Sequence, residues 1–267
     1  MYRICITIIF LLLAASSTQA GRRKDMSKTY QSAYQEPDAL LPTRQPHGAL
    51  QRQLQPDFHR KRSHAMGKRG IDVSHYQNQI NWKLVAANRD VTYVYIKATE
   101  NATLVDNMFR TNLHEARKAG IPAGIYHFFS PTASPMAQLK NLTTVVPNLK
   151  DQDLLPMIDV EVKGKASPED LRNRLRQFLK GVEDFYGVRP ILYTGQNFYN
   201  KYLAGYFEDY LFMIAKYSEG APQLEGNAKF ALWQFSASGR IDGIRGAVDC
   251  SCFMDNYSLR DILIKKK

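Results

Sequence analysis

The stretch Met157-Ile158-Asp159-Val160-Glu161-Val162 holds the most informative pair of side chains in this sequence. On a strand, residues two apart point to the same face, so Asp159 and Glu161 would share one side. Two carboxylates in one low-dielectric site cannot both ionise freely, and one pKa rises. The protonated member can give its proton to a leaving oxygen while the ionised one stabilises positive charge or positions a second group. Cleavage of a glycosidic bond needs that division of labour. Two solvated loop acids would also spell Asp-x-Glu, so the surrounding residues have to decide.

Other acids stand in comparable places. Asp72 ends Gly70-Ile71-Asp72-Val73-Ser74, where it either enters the same site or caps a following helix. Asp249 follows Gly246-Ala247-Val248 with the same two readings, and Glu100 ends Ile96-Lys97-Ala98-Thr99-Glu100. Tyr126, His127, Phe128, Tyr193, Tyr217 and Trp233 offer aromatic and hydroxyl surface, and Gln234 offers an amide. Such groups suit the apolar faces and hydroxyls of sugars, although aromatics also dominate cores. His127 has no Ser or Cys partner in a nucleophile motif, which argues against a triad. No Cys/His spacing suited to a metal is present.

These residues need elements to hold them. Strand patterns fall at 70–74, 91–98, 123–129, 155–162, 190–194, 211–217, 230–235 and 247–253, rich in Val, Ile, Tyr and Phe and often bounded by Gly, Pro or Asn. Residues 106–119 carry Met108, Phe109, Leu113 and Ala116 at helical spacing and stop at Gly120. Ser167-Pro168-Glu169-Asp170 is a helix start, Leu171, Leu175, Phe178, Leu179 and Val182 form an apolar stripe, and Gly187 closes it. Eight strands with helices among the first six predict an irregular TIM-like β/α barrel, an α/β fold with fewer helices in its last third. In such barrels the working residues sit at the C-terminal ends of strands. Asp72, Glu100, His127, Asp159, Glu161, Tyr217, Gln234 and Asp249 all lie near predicted strand ends.

Composition bounds the rest. Met1-Tyr2-Arg3, the apolar run Ile4 to Ala15 and the small residues up to Ala20 have the order of a secretory signal peptide, so 1–20 are expected to be removed on export. The run is short for a membrane span, and no later stretch is long enough. Residues 21–69 read as a basic linker, rich in Gln, Arg, Ser and Pro. It is either a solvated tether or a weak contact for an anionic wall or membrane surface. The domain is expected over 70–264, followed by the basic tail 265–267. Residues 71–264 hold 21 basic and 21 acidic residues, so the chain's +11 lies in its tails. A nucleic-acid groove should be part of the fold, and is not indicated. Cys250 and Cys252 would face one side of a strand with Cα atoms ~6.6 Å apart, near the outer limit for a disulfide, so buried thiols and a bridge are both open.

The motifs GIDVSHYQ with NW shortly after, IKATE, AGIYHFFSP, MIDVEVKGK, ILYTG, LWQFS and IDGIRGAVD occur in this order. Together they resemble the family 25 glycoside hydrolases, the Chalaropsis-type lysozymes (N-acetylmuramidases), from about Gly70 to Leu263. The resemblance implies an irregular β/α barrel that hydrolyses the β-1,4 bond between N-acetylmuramic acid and N-acetylglucosamine in peptidoglycan without metal or cofactor. By motif, Glu161 would be the general acid and Asp159 its stabilising or orienting partner, with Asp72 and Asp249 completing the acidic cluster. Tyr126 and Gln234 would be substrate contacts, with Glu100, His127, Tyr193 and Tyr217 beside them on the rim. The expected partner is the peptidoglycan glycan strand, the expected place periplasmic or extracellular, and the expected state a monomer. A barrel that grips peptidoglycan without turnover is the competing reading. Two positions depart from the family pattern: Ser251 stands where Asn is frequent, and Leu211-Phe212-Met213-Ile214-Ala215 lacks the usual Trp, which puts an aromatic subsite in doubt.

Overall fold

The computed structural model describes residues 68–254 and 256–265. The expected signal peptide, nearly all of the expected linker and the last two lysines lie outside the described residues. The apolar runs become strands β1 (Arg69–Val73), β2 (Val91–Glu100), β4 (Ala123–Phe128), β5 (Met157–Asp159), β6 (Ile191–Gly195), β7 (Phe212–Ala215), β8 (Leu232–Gly239) and β9 (Val248–Phe253). They pair in the order β1-β9-β8-β7-β6-β5-β4-β2, and β2 pairs with β1, which closes an eight-stranded barrel. A two-residue strand, β3 (Leu104–Val105), folds back on the end of β2. The fifth strand is much shorter than the sequence pattern suggests, and the eighth runs on to Gly239.

The barrel is mixed. β1, β2 and β4 to β8 run parallel, but β9 is antiparallel to both β8 and β1. A tight return from β8 needs no crossover helix. The early connections do carry helices: α1 (Trp82–Ala87), α2 (Phe109–Lys118), α3 (Pro135–Val145) and α4 (Pro168–Tyr186). Later come a helical turn, Gln196–Phe198, a π-helical turn, Tyr199–Leu203, and a short α5 (Leu259–Ile262) after the barrel. The expected thinning of helices in the last third is what the structure shows.

α4 starts and stops where its sequence says. Ser167 Oγ accepts from the Asp170 amide at 3.0 Å, Pro168 takes the first turn, and Gly187 closes the helix in the left-handed region at φ 69°. Its stripe of Leu171, Leu175, Phe178, Leu179 and Val182 is buried against the outer faces of the strands. A second apolar cluster fills the barrel itself, with Tyr93, Tyr95, Met157, Tyr193, Met213 and Leu232 among its members. This is the period-two alternation of a strand buried on both faces.

Small residues make room for the interior tyrosines. A Cβ added at Gly70 would lie 2.0 Å from the Tyr93 ring, and one at Gly124 2.6 Å from the Tyr95 ring. Tyr93 cannot retreat easily, because its hydroxyl is hydrogen-bonded to Ser251 at 2.9 Å inside the barrel. Overpacking a tight core costs about 1–3 kcal/mol. Gly70→Ala is therefore expected to destabilise the barrel by ~2 kcal/mol or more in urea denaturation, and a further Tyr93→Leu change to recover part of the loss.

Candidate active site

The ladder brings the acids to one end of the barrel. Asp72 lies opposite Asp249 in the β1–β9 pairing. Because β9 runs backwards, Asp249 reaches this end from the start of its strand, whereas Asp72 and Asp159 come from the ends of theirs. Asp159 sits beside Tyr193 of β6 and Phe128 of β4. β5 ends at Asp159, so Glu161 lies just past the strand and not on it as the sequence pattern suggests. The alternation nevertheless continues: the Val160 amide donates to the Tyr193 carbonyl at 2.9 Å and its side chain is buried with the outer core. Glu161 is partly exposed at the mouth, and its charge is felt by Asp159, Asp249 and Tyr217.

Gln234 organises one half of this cluster. Its Nε2 donates to Asp72 Oδ2 at 2.9 Å, while its Oε1 accepts from the Tyr193 hydroxyl at 2.8 Å and the Tyr217 hydroxyl at 2.6 Å. With both tyrosines donating to the oxygen, the amide has only one orientation that satisfies all three. Tyr126 stands among the acids, its hydroxyl held well above its ordinary pKa by burial and then by Asp159, Asp249 and Asp72. Asp72 Oδ1 and Asp159 Oδ1 are buried and make no hydrogen bond among the described residues. Buried polar atoms left without partners are uncommon, and at a concave site they point to a ligand.

Electrostatics follows from this crowding. Burial first, and then the charge of Asp249, push the Asp72 carboxyl up to about 8 against the opposing Gln234 bond. Burial and Glu161 push Asp249 up to about 7. Asp159 is held well above the usual carboxylate range by burial, then by Glu161, with Lys97 opposing the shift. The cluster therefore retains protons near neutrality.

Lys97 joins the site although its sequence context does not by itself mark it as a functional residue. It is 5% exposed, its Nζ lies 2.6 Å from Glu100 Oε2 and 5.5 Å from the centroid of the Phe128 ring. A break in register between Lys97 and Thr99 makes Ala98 an extra residue on β2. The bulge lets Lys97 and Glu100 share the inner face although they are three apart. The signal was available: alternation places Lys97 with Tyr93 and Tyr95, and a lysine on a buried face needs a carboxylate partner.

His127 does not belong to the site. It lies on the outer face of β4, fully buried, stacked on Phe178 of α4 at 4.9 Å. Its Nδ1 is 2.7 Å from Thr99 Oγ1 and its Nε2 is 3.4 Å from Gln138 Oε1. Those partners assign the proton to Nε2, with Nδ1 accepting from the threonine. Burial, with Lys97 adding to it, pushes its pKa down to about 3, so the ring stays neutral. Strand position alone puts His127 on the rim, but its face of the pleat is the wrong one. Trp233 is likewise not a platform at the mouth; its indole nitrogen donates to the Lys216 carbonyl at 2.9 Å and secures the chain leading to Tyr217. Cys250 and Cys252 are free, buried thiols on the outer side of β9. Ser251, between them, points inward to Tyr93. Among the described residues no group of three or more His, Cys, Asp or Glu could hold a metal ion.

The closed mixed barrel thus gathers four carboxylates, an amide and tyrosines at one mouth. Residues 71–244 match the family described as "Glycosyl hydrolases family 25". YegX of Escherichia coli strain K12 is 41% identical over 188 residues, covering 69% of this chain and 68% of its own length. Lysozyme M1 of Streptomyces globisporus is 32% identical over 200 residues, covering 70% and 68%. The crystal structure of the bacterial lysozyme from Streptomyces coelicolor superposes with a TM-score of 0.66 at 30% identity, covering 73% of this chain and 95% of that one. The chain belongs to glycosyl hydrolase family 25, and it is a glycoside hydrolase.

The raised carboxyl pKa values have a thermodynamic consequence. A carboxyl whose folded pKa exceeds its unfolded value binds more protons when folded, so stability falls as pH rises between the two values. For Asp72 that window runs from about 4 to about 8. Thermal unfolding is expected to show the midpoint dropping across this range, and Asp72→Asn, which keeps an acceptor for Gln234, is expected to flatten the slope.

Proposed function

We propose that this protein is an exported lysozyme that hydrolyses the β-1,4 bond between N-acetylmuramic acid and N-acetylglucosamine in peptidoglycan. Glu161 is the general acid and Asp159 the carboxylate that stabilises positive charge or orients the substrate. The observation that carries the reading is the convergence of Asp72, Asp159, Glu161 and Asp249 around Tyr126, with two buried carboxylate oxygens left without partners. Similarity to Lysozyme M1 and to the autolytic lysozyme of Clostridium acetobutylicum supports the substrate.

The roles follow from position. Glu161 lies at the mouth beyond the strand end, where a glycosidic oxygen can approach it. Proton donation asks for an acid among other acids, and Asp159 and Asp249 surround Glu161 in that sense. Asp159 is buried deeper, and Lys97 is the cation that favours its charged form. Asp159, whose pKa burial and Glu161 hold high, must give up its proton before it can oppose the positive charge that builds on the sugar ring in the transition state. Tyr193, Tyr217 and Gln234 form one fixed hydrogen-bonded unit. That unit suits contacts to sugar hydroxyl or acetamido groups, with Tyr126 as the neighbouring aromatic surface. Glu100 acts on the substrate side through its hold on Lys97. Export, to the periplasm or beyond the cell, rests on the expected signal peptide, and the barrel is read as a monomer.

Glu161→Gln is expected to reduce reducing-end release from purified peptidoglycan about a hundredfold or more, as loss of a positioned acid does. Equal release by variant and wild type would remove Glu161 from the role of acid, and no release by either would leave a glycan-binding barrel. Lys97→Met withdraws the charge that lowers the Asp159 pKa. The acidic limb of the pH–rate profile is therefore expected to move to higher pH, while Lys97→Arg keeps it near the wild-type position.

A further inference from the structure

The face of the barrel opposite the acids gathers features that the glycan chemistry does not use. Between the start of β2, the end of β9 and α5 lies a groove of about 420 Å³. Phe253, Tyr257, Leu259 and Leu263 line it, with Lys68 and Arg260 among its polar members. Lys68, Arg260 and Lys265 are exposed and form no ion pair among the described residues. Among the described residues nearby, Asp90 is paired with Arg69, Asp153 with Arg117, and Asp261 with the Ser258 amide and hydroxyl. Asp151 stands beside Lys150.

Both ends of the barrel domain emerge on this face. Lys68, which lines the groove, directly precedes β1, and the chain before it brings Arg60, Lys61 and Arg62 within eight residues. An extended chain of that length spans at most about 28 Å. At the other end Leu263 bridges to Leu154, and the Ile264 amide donates to the Asp153 carbonyl at 2.9 Å, just before β5 begins. The three final lysines follow immediately. Residues 21–70 carry 11 Lys/Arg against 4 Asp/Glu, while 71–264 are balanced. The described part of this face is thus an apolar groove with Lys68 and Arg260 on its rim, and the sequence places the chain's excess positive charge in the segments that lead away from it.

We propose that this face is a docking surface for an anionic phospholipid bilayer, with the groove taking the apolar part of a lipid between Lys68 and Arg260. An apolar floor with Lys and Arg at its edge is the pattern by which peripheral proteins hold such surfaces. Docking in this way turns the acid-lined mouth away from the lipid. The proposal goes beyond the catalytic reading and does not depend on it.

The test is flotation of the chain from residue 21 onward, the form expected after export. Vesicles of phosphatidylcholine with about a third phosphatidylglycerol are compared with vesicles of phosphatidylcholine alone. Binding to the anionic vesicles only is expected, released by salt and weakened about tenfold or more by Lys68→Glu with Arg260→Glu. Leu259→Gln, which changes no charge, weakens it in the same direction. Near-UV circular dichroism and unchanged hydrolysis of glycan fragments show that these variants are folded. Equal binding to neutral vesicles, or undiminished binding by the charge-reversed variant, overturns the proposal. So does competition by polyglutamate that is indifferent to Leu259→Gln, which points to a soluble polyanion. Self-association without vesicles that Leu259→Gln abolishes assigns the groove to a second copy and also overturns it. Vesicle binding by a chain that hydrolyses nothing supports the docking while sinking the catalytic reading, so the two fail separately.

Discussion

Four carboxylates share the mouth of one closed barrel, and each raises the cost of ionising the others. A closed sheet takes Asp72 and Asp159 out of water, and desolvation is the largest influence on both. The rest of the site can be understood as the answer to that cost. Gln234 gives Asp72 a donor, two tyrosines fix Gln234, and Lys97 supplies a positive charge that opposes the rise of the Asp159 pKa. The protein does not neutralise the acids fully. Retained protons and unpartnered oxygens are what a site that moves protons needs, and a core built only for stability would have replaced such groups by apolar ones.

The barrel that creates this constraint has a layered logic. Inner positions of the strands carry tyrosine, methionine and leucine at the bottom and acids at the top, while outer positions pack on the helices. Gly70 and Gly124 are the cost of filling the interior with tyrosine rings. Reversal of β9 closes the barrel without a final crossover helix and sets Asp249 directly across from Asp72. The two acids could not be ladder partners in this way if the last strand ended, rather than began, at the mouth.

Much of this was legible in the sequence. Strand existence was strong because each run combines β-branched and aromatic residues with clear boundaries, and α4 announces itself through Ser167-Pro168 and Gly187. α3 has a similar Ser134-Pro135 start but no broad apolar stripe. Its buried positions are Pro135, Gln138 and Leu142, and Gln138 serves as a polar anchor for the Ser130 backbone, so periodicity had little to report. Asp159, Tyr193 and Gln234 could be placed by strand position. His127 could not, because strand position alone does not say which way a side chain faces. Lys97 stands in an apolar run, and the inward turn of its partner Glu100 depends on a bulge that no single-residue propensity encodes. The direction of β9 was equally invisible, since a tight return and a crossover differ by tertiary choice.

The bulge at Ala98 also acts as a reading frame. Upstream of it Lys97 faces in with Tyr126, and downstream Thr99 faces out to His127 while Glu100 faces in beside Phe128. If the same sequence paired without the bulge, Thr99 and Glu100 would exchange faces. A carboxylate would be driven into the apolar layer under α4, and a threonine would stand at the mouth. Deleting Ala98 itself would remove the bulge and leave Thr99 facing out and Glu100 facing in, because the remaining residues then alternate regularly. Which face each residue of this strand end presents is therefore a property of the ladder pairing and not of residue identity alone.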